Sequence, residues 1–233
     1  MGLKELDIKS SYETGSDPYK LVNEFYIPAL QESIEYCRIS GFFNSSSLTI
    51  AAKGIEALVN NGGKMKLLIS PELSESDFEI IQKHGIEFAD MFRTFEIGIM
   101  PDDHLKALAW MLDIGRLEIK IVVPSVHGNA LFHEKIGFFF DKDGSVLSFS
   151  GSINETASGW MKNVEEFKVF RSWIPAQNDE YLQKDLKKFI GYWNNLKSET
   201  AMVYDIPDAI KKRIIKAKPT DIWELGLMNR YRK

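Results

Sequence analysis

Apolar and polar positions alternate along this chain in two rhythms, and the rhythms change places several times. Arg38 to Phe43 reads as a short strand ending in an aromatic pair. Ser45, Ser46 and Ser47 follow as a helix-capping cluster. Leu48, Ala51, Ile55 and the Leu58-Val59 pair then recur at helical spacing, and Asn61-Gly62-Gly63 stops that helix. Lys66 to Ile69 is the next strand, closed by Pro71. This is a β-α-β unit, which implies a right-handed parallel crossover. Helices are also expected at Lys20 to Tyr36, Ser74 to Lys83, Asp103 to Ile114 and Asp179 to Leu196. Further strands are expected at Leu117 to Val123, His133 to Phe140, Ser145 to Phe149 and Glu165 to Trp173. Asp141-Lys142-Asp143-Gly144 is a strong hairpin turn between the second and third of these. The prediction is an α/β fold with a mixed β-sheet flanked by helices on both faces.

Composition narrows the class. The 233 residues carry one cysteine, Cys37, so neither a disulfide framework nor a multi-cysteine metal site is available within the chain. No apolar run approaches the roughly 18 residues of a membrane span. The N-terminal MGLKELDIKS lacks an apolar core of signal-peptide length, so a cytoplasmic protein is the expectation. The formal net charge is −4. It divides unevenly, with −9 on residues 1–205 and +5 on residues 206–233. We therefore expect one domain over 1–205 and a basic tail or linker beyond it, near Pro207. A solvated helix is the plain reading of such a tail.

Candidate chemistry concentrates in residues 132 to 160. On a regular strand His133 and Lys135 point to one face, about 6–7 Å apart. Gly137 on that face would leave space beside them, and Phe139 shares it, while Phe138 and Phe140 point into core. The second strand ends in Gly151-Ser152-Ile153-Asn154. Small residues there permit a tight turn whose backbone N–H groups suit an anion, and Asn154 adds an amide. The hairpin would bring this turn to the start of the His133 strand. A nucleophile or base, a fixed cation and amide donors are the equipment for holding and attacking a phosphate.

This pattern resembles the phospholipase D superfamily, whose signature is His-x-Lys on a strand, then Asp, then Gly-Ser-x-Asn. His133, Lys135, Gly151, Ser152 and Asn154 match it position by position. Asn163-Val164-Glu165 fits the glutamate of the following strand, and Glu165 is preferred to Glu166 because alternation lets only one face the site. Gly41-Phe42-Phe43-Asn44-Ser45-Ser46-Ser47, and Asn-Gly-Gly-Lys before Leu-Leu-Ile-Ser-Pro, resemble one branch. That branch is the N-terminal phospholipase D-like nuclease domain of bacterial helicase-type restriction and defence proteins. The resemblance covers about residues 12 to 195. The chain departs from it once: the usual Asp position is Phe140, and Asp141 stands one residue later, where its side-chain direction would invert. A bulge would restore it; otherwise Asp141 is only the hairpin corner.

The resemblance implies phosphodiester cleavage with no metal and no cofactor. One histidine attacks phosphorus and a second protonates the leaving oxygen. Lys135, Ser152 and Asn154 would hold the phosphate oxygens, and Glu165 would orient an imidazole. His84, His104 and His127 each lack a lysine two positions later, so a complete site needs a second copy of the chain. The expectation is a homodimer with two His133 side chains facing across its axis. DNA is the expected substrate, with RNA as the alternative, and a helicase domain or subunit the expected companion; no membrane partner is expected. No Walker-type phosphate loop occurs in the chain. Two other readings stay open: a weakly catalytic phosphate-binding and dimerisation module, and a small-molecule or lipid phosphodiesterase. Trp160, Trp173 and Trp193 read as core residues before base-stacking ones, Cys37 as core, and Tyr12 to Thr14 as a helix-cap region.

Overall fold

A computed structural model describes residues 1–15, 17, 19–41, 47, 50–70, 109–125, 132–154, 156–197 and 199–205. Eight strands form one sheet among them: β1 (Ser11–Glu13), β2 (Glu35–Ser40), β3 (Lys64–Ile69), β4 (Leu117–Pro124), β5 (Ile136–Phe140), β6 (Val146–Gly151), β7 (Glu166–Arg171) and β8 (Ala201–Asp205). Their order across the sheet is β1-β7-β6-β5-β2-β3-β4-β8. The central β2, β3 and β4 run parallel. Every other pairing is antiparallel. The sheet is therefore mixed, as the pattern of periods predicts.

Strand alternation divides the core in two. Tyr36, Leu67, Ile121, Phe139, Phe149 and Phe167 lie in one apolar cluster with Phe25, Leu30, Ile55 and Trp160 from helical segments. Cys37, Ile39, Leu68, Val122 and Phe138 belong to the other, with Leu182, Phe189 and Tyr192. The helices on the first side are α1 (Ile27–Gln31, following a π-helical turn at Val22–Tyr26), α2 (Ala52–Asn60) and α3 (Ala157–Met161). The second side is covered by α4 (Gln183–Trp193). Phe138 and Phe139 are thus both fully buried, on opposite sides. Neither face of β5 is left polar along the strand. The expectation of one greasy face and one chemical face is corrected accordingly.

Local chemistry explains the boundaries. Gly62, at φ +75°, ends α2, and the Gly62 and Gly63 amides donate back to Val59 and Leu58 carbonyls at 2.9 Å. Asn195, at φ 54°, does the same for α4, with its amide 2.8 Å from the Tyr192 carbonyl. That stop falls short of the expected Leu196. The helix expected through Tyr36 ends at Gln31 instead. Ser33 Oγ donates to the Ala29 carbonyl at 2.6 Å, and the Ile34 amide pairs with Phe140 at 2.8 Å, so sheet pairing claims Glu35 and Tyr36. β1 and β8 were not expected as strands. Tyr12 and Glu13 are in β1, paired with Phe167 and Glu166, rather than in a helix cap.

The expected helix at 74–83, most of that at 103–114, and the tail at 206–233 lie outside the described residues, as do His84, His104 and His127. Trp160 is buried and stacks on Tyr26 with ring centroids 3.9 Å apart. Trp173 and Trp193 pack against the two apolar clusters. Burial pushes the Cys37 thiol well above its ordinary range, so it is an unreactive core residue. No described helix is long and apolar enough to cross a membrane.

The Ser148 hydroxyl on β6 is buried without a hydrogen-bond partner, on the side of Phe138. An unsatisfied buried hydroxyl costs about 1–3 kcal/mol. Ser148→Ala is expected to raise unfolding free energy by about 1 kcal/mol, read as a higher urea midpoint at unchanged slope.

Candidate active site

The site forms where four strand ends meet on one edge of the sheet. β5 begins there and β6 ends there, because Ile136 pairs with Ser150 and the Gly151 amide donates to the Lys135 carbonyl at 3.3 Å. β2 ends beside them, with Ile39 opposite Ile136. β7 begins there, with Phe167 opposite Gly151. The two halves of the His-x-Lys and Gly-Ser-x-Asn pattern are brought together as the hairpin argument requires.

His133 and Lys135 do not lie on regular strand, contrary to expectation. β5 starts only at Ile136, and the three residues before it form an irregular entry segment. His133 is exposed, whereas Lys135 is buried at 4% exposure. Lys135 Nζ curls back to donate to the His133 carbonyl at 3.0 Å. Burial, and then the nearby Arg38 charge, push the Lys135 ammonium below its ordinary value, while Glu165 partly opposes them. Glu134, between the pair, turns away to Lys188 at 3.5 Å.

Gly137 does not leave open space. A Cβ there would lie 2.2 Å from the Phe149 ring, so the ring already occupies that volume. Gly151 is equally constrained, since a Cβ would sit 2.1 Å from the Glu166 carbonyl. Its lack of a side chain lets β6 close onto β7. Ser152 is exposed and tied to β7: its amide donates to the Glu166 carbonyl at 3.0 Å, and its hydroxyl accepts from the Glu166 amide at 3.2 Å. Asn154 is half-buried, with its carbonyl accepting from the Thr156 amide at 2.9 Å. Ser40 Oγ, at the end of β2, lies 3.5 Å from Asn154 Oδ1.

Glu165 and Glu166 have different surroundings. Glu166 is exposed and pairs with Lys168. Glu165 is half-buried, and its charge is felt at Lys135. Its carboxylate accepts from Asn163 Nδ2 at 3.2 Å. Thr14 holds its backbone on both sides: the hydroxyl donates to the Asn163 carbonyl at 2.6 Å and accepts from the Glu165 amide at 2.9 Å.

Asp141 stands at the opposite end of β5, six residues and about 20 Å of extended chain from Lys135. It is buried at 4% exposure. Its carboxylate accepts three backbone amides: Leu3 at 3.0 Å, Asp143 at 3.0 Å and Ser145 at 2.8 Å. It is the hairpin corner, and no bulge turns it towards Lys135.

Three residues at this edge were not expected there from the sequence. Arg38 is fully buried and donates from Nη2 to the Ile153 carbonyl. Gly41 faces the entry segment, where a Cβ would lie 3.1 Å from the Phe132 carbonyl and 3.5 Å from Lys135 Nζ. Thr14 is the third. The one available signal was an arginine flanked by the apolar Cys37 and Ile39.

No protein-family model matches the chain, and no curated protein matches it in sequence. Among solved structures, the chain is similar to a phospholipase D family member, Nuc from Salmonella typhimurium. The identity is 14% and the TM-score 0.46, over 84% of this chain and 99% of that one. NucT from Helicobacter pylori is similar at 13% identity and TM-score 0.43, over 83% and 96%. Phosphatidylserine synthase from Haemophilus influenzae Rd KW20 is similar at 13% and 0.45, over 88% and 44%.

Two outcomes are expected from this geometry. Asp141→Ala leaves three amides without their acceptor and is expected to cost about 2–3 kcal/mol, measured by urea unfolding. Lys135→Met is expected to raise stability near neutral pH by removing a buried charge. The sign follows from linkage: the unfolded chain holds that proton more tightly than the folded one. Stability of the unaltered protein therefore gains as pH climbs towards the ordinary lysine value of 10.5. The difference between the two proteins should narrow over that interval in paired denaturation curves.

Proposed function

We propose that this chain is a phospholipase D-like phosphodiesterase acting without metal, and that nucleic acid, DNA first, is its substrate. The observation that carries the reading is the hydrogen-bonded meeting of the two motif halves. The Gly151 amide donates to the Lys135 carbonyl, so the ammonium and the Gly-Ser-x-Asn turn share one strand edge. An exposed imidazole stands at the mouth of that edge, where a phosphodiester can reach it.

In the proposed reaction a neutral His133 ring nitrogen attacks phosphorus. A P–N bond forms and the P–O bond to the leaving group breaks. The imidazolium of a second copy's histidine gives its proton to the departing oxygen. That same ring then takes a proton from water as the water attacks phosphorus. The P–N bond breaks, and His133 is returned neutral with the phosphate product released. Lys135 and Asn154 stabilise the non-bridging oxygens while negative charge builds. Glu165 supports the protonated imidazole, as a carboxylate does in a catalytic triad. Ser152, tied to β7, fixes the turn from which Asn154 projects.

One chain contributes one such motif, so the complete site is composite. A two-fold homodimer with facing His133 side chains meets that need. The +5 charge of residues 206–233 would then offset the acidic body towards a nucleic acid. The tail would also serve as the connection to a helicase-type motor, a role the charge break near Pro207 supports.

The test is cleavage in EDTA of supercoiled plasmid, RNA and bis(p-nitrophenyl) phosphate by the unaltered protein and by His133→Ala. Cleavage of plasmid by the former, reduced at least about a thousandfold in the variant, is expected. His133→Ala should still sediment as a dimer. Turnover retained in that variant would overturn the catalytic assignment. Inactivity of the unaltered protein on all three substrates would instead favour a binding and dimerisation module. Activity on the small diester alone would favour a small-molecule enzyme.

A further inference from the structure

Resting on that reading of the site, we propose that Arg38 is a positioning residue for it, locking the Gly151–Asn154 turn and setting the field at Lys135 from inside the sheet.

The argument begins with the strand register. Tyr36, Arg38 and Ser40 share one face of β2, because Cys37 and Ile39 belong to the other apolar cluster. Arg38 lies opposite Gly137 of β5, and Gly137 lies opposite Phe149 of β6. With no side chain at Gly137, Phe149 spreads over it, and the Arg38 guanidinium carbon sits 4.7 Å from the ring centroid. The cation is held against an aromatic face in a setting with no water contact, where such an interaction is strongest. Its plane is then fixed, and Nη2 donates to the carbonyl of Ile153, the residue between Ser152 and Asn154. Ile153 itself is fully buried, so the turn is anchored from below by a side chain and a hydrogen bond together.

The next residue on that face, Ser40, approaches the Asn154 amide oxygen, and Gly41 lies against the Phe132–His133 backbone. β2 and the glycine that follows it thus touch both halves of the motif. Arg38 is the only charged residue of β2 on that face. It acts through Ile153 on the position of Asn154, and through space on Lys135, whose proton it weakens. Nothing places it in contact with substrate. A fully buried guanidinium is costly to keep, and a strand core of the same volume would tolerate methionine. The residue is explained if the site needs a planar donor there.

The test compares the unaltered protein with Arg38→Met and Arg38→Lys. Each is assayed in EDTA on bis(p-nitrophenyl) phosphate for kcat and KM. In parallel, Lys135 is titrated by its ¹³Cε resonance, assigned with a Lys135→Arg variant and recorded with no substrate present. Arg38→Met is expected to lower kcat at least tenfold with KM within threefold, and to move the Lys135 titration upward. Arg38→Lys keeps a charge but loses the planar fork, so it should restore the titration while kcat stays depressed. Arg38→Met with kcat within twofold, or with the Lys135 titration unmoved, overturns the inference. If Arg38→Met does not fold, Arg38→Lys decides: lowered kcat supports the inference and unchanged kcat overturns it. If the unaltered protein cleaves plasmid or RNA but not the small diester, kcat and KM are read on that nucleic acid; if it cleaves none of the three, the phosphodiesterase reading fails by itself, and the Lys135 titration alone decides the role of Arg38.

Discussion

The site edge depends on a missing side chain. The Phe149 ring fills the space over Gly137 on β5, where any Cβ would meet it at 2.2 Å. Phe149 in turn joins Phe25, Tyr26, Phe139 and Phe167 in one aromatic group. That group ties the π-helical turn at Val22–Tyr26 to β5, β6 and β7, and the guanidinium of Arg38 rests on its face. The glycine therefore serves packing beneath the site rather than room within it. A core closed this tightly transmits small displacements instead of absorbing them. It can hold a turn and a lysine at fixed separation on the strand ends above.

Electrostatics adds a second constraint at the same place. Two cations, Arg38 and Lys135, are buried within each other's field, and Glu165 is the carboxylate whose charge opposes them at Lys135. Burying positive charge costs several kcal/mol unless hydrogen bonds or an opposite charge offset it. Lys135 has the His133 carbonyl for this purpose, and Arg38 has the Ile153 carbonyl and an aromatic face. A single carbonyl is a partial answer for an ammonium with three donors. On the function proposed above, a phosphate anion would complete it, so the same imbalance that weakens the folded chain would strengthen anion binding.

Periodicity carried the parts of the fold that are long or strongly patterned. The parallel β2-α2-β3 unit, the β5–β6 hairpin and α4 were legible because burial on one face imposes a regular spacing. The two edge strands were not. β1 is three residues long and half polar, and β8 is stabilised by pairing with β4 rather than by a pattern of its own. The candidate site's motif residues stood out because their small and hydrogen-bonding side chains match a known family's pattern in order and spacing. Their supports did not. Thr14 and Arg38 act on residues 163–165 and 153 across long stretches of sequence, and only the strand order brings them together. The face assignment of β5 failed for the same reason. Alternation gives directions, but what fills a face is decided by the neighbouring strand.

Asp141 shows how a residue can match a pattern in sequence and serve a different end in space. One residue beyond the position the resemblance implies is enough to carry it past the last β5 pair and into the turn. There its carboxylate closes the hairpin and also takes the amide of Leu3. From that anchor the N-terminal segment runs back along β7: Arg171 reaches the Ile8 carbonyl, the Val169 amide donates to Ser10, and Ser11 to Glu13 pair with Lys168 to Glu166. It ends at Thr14, whose hydroxyl grips the loop bearing Glu165. The displaced aspartate is thus the far end of a strap whose near end is at the site. At the motif's acid position stands Phe140, a partly buried apolar residue beside Phe138. On the proposed function the carboxylate at the site edge would come instead from Glu165, and Thr14 holds the backbone that carries it.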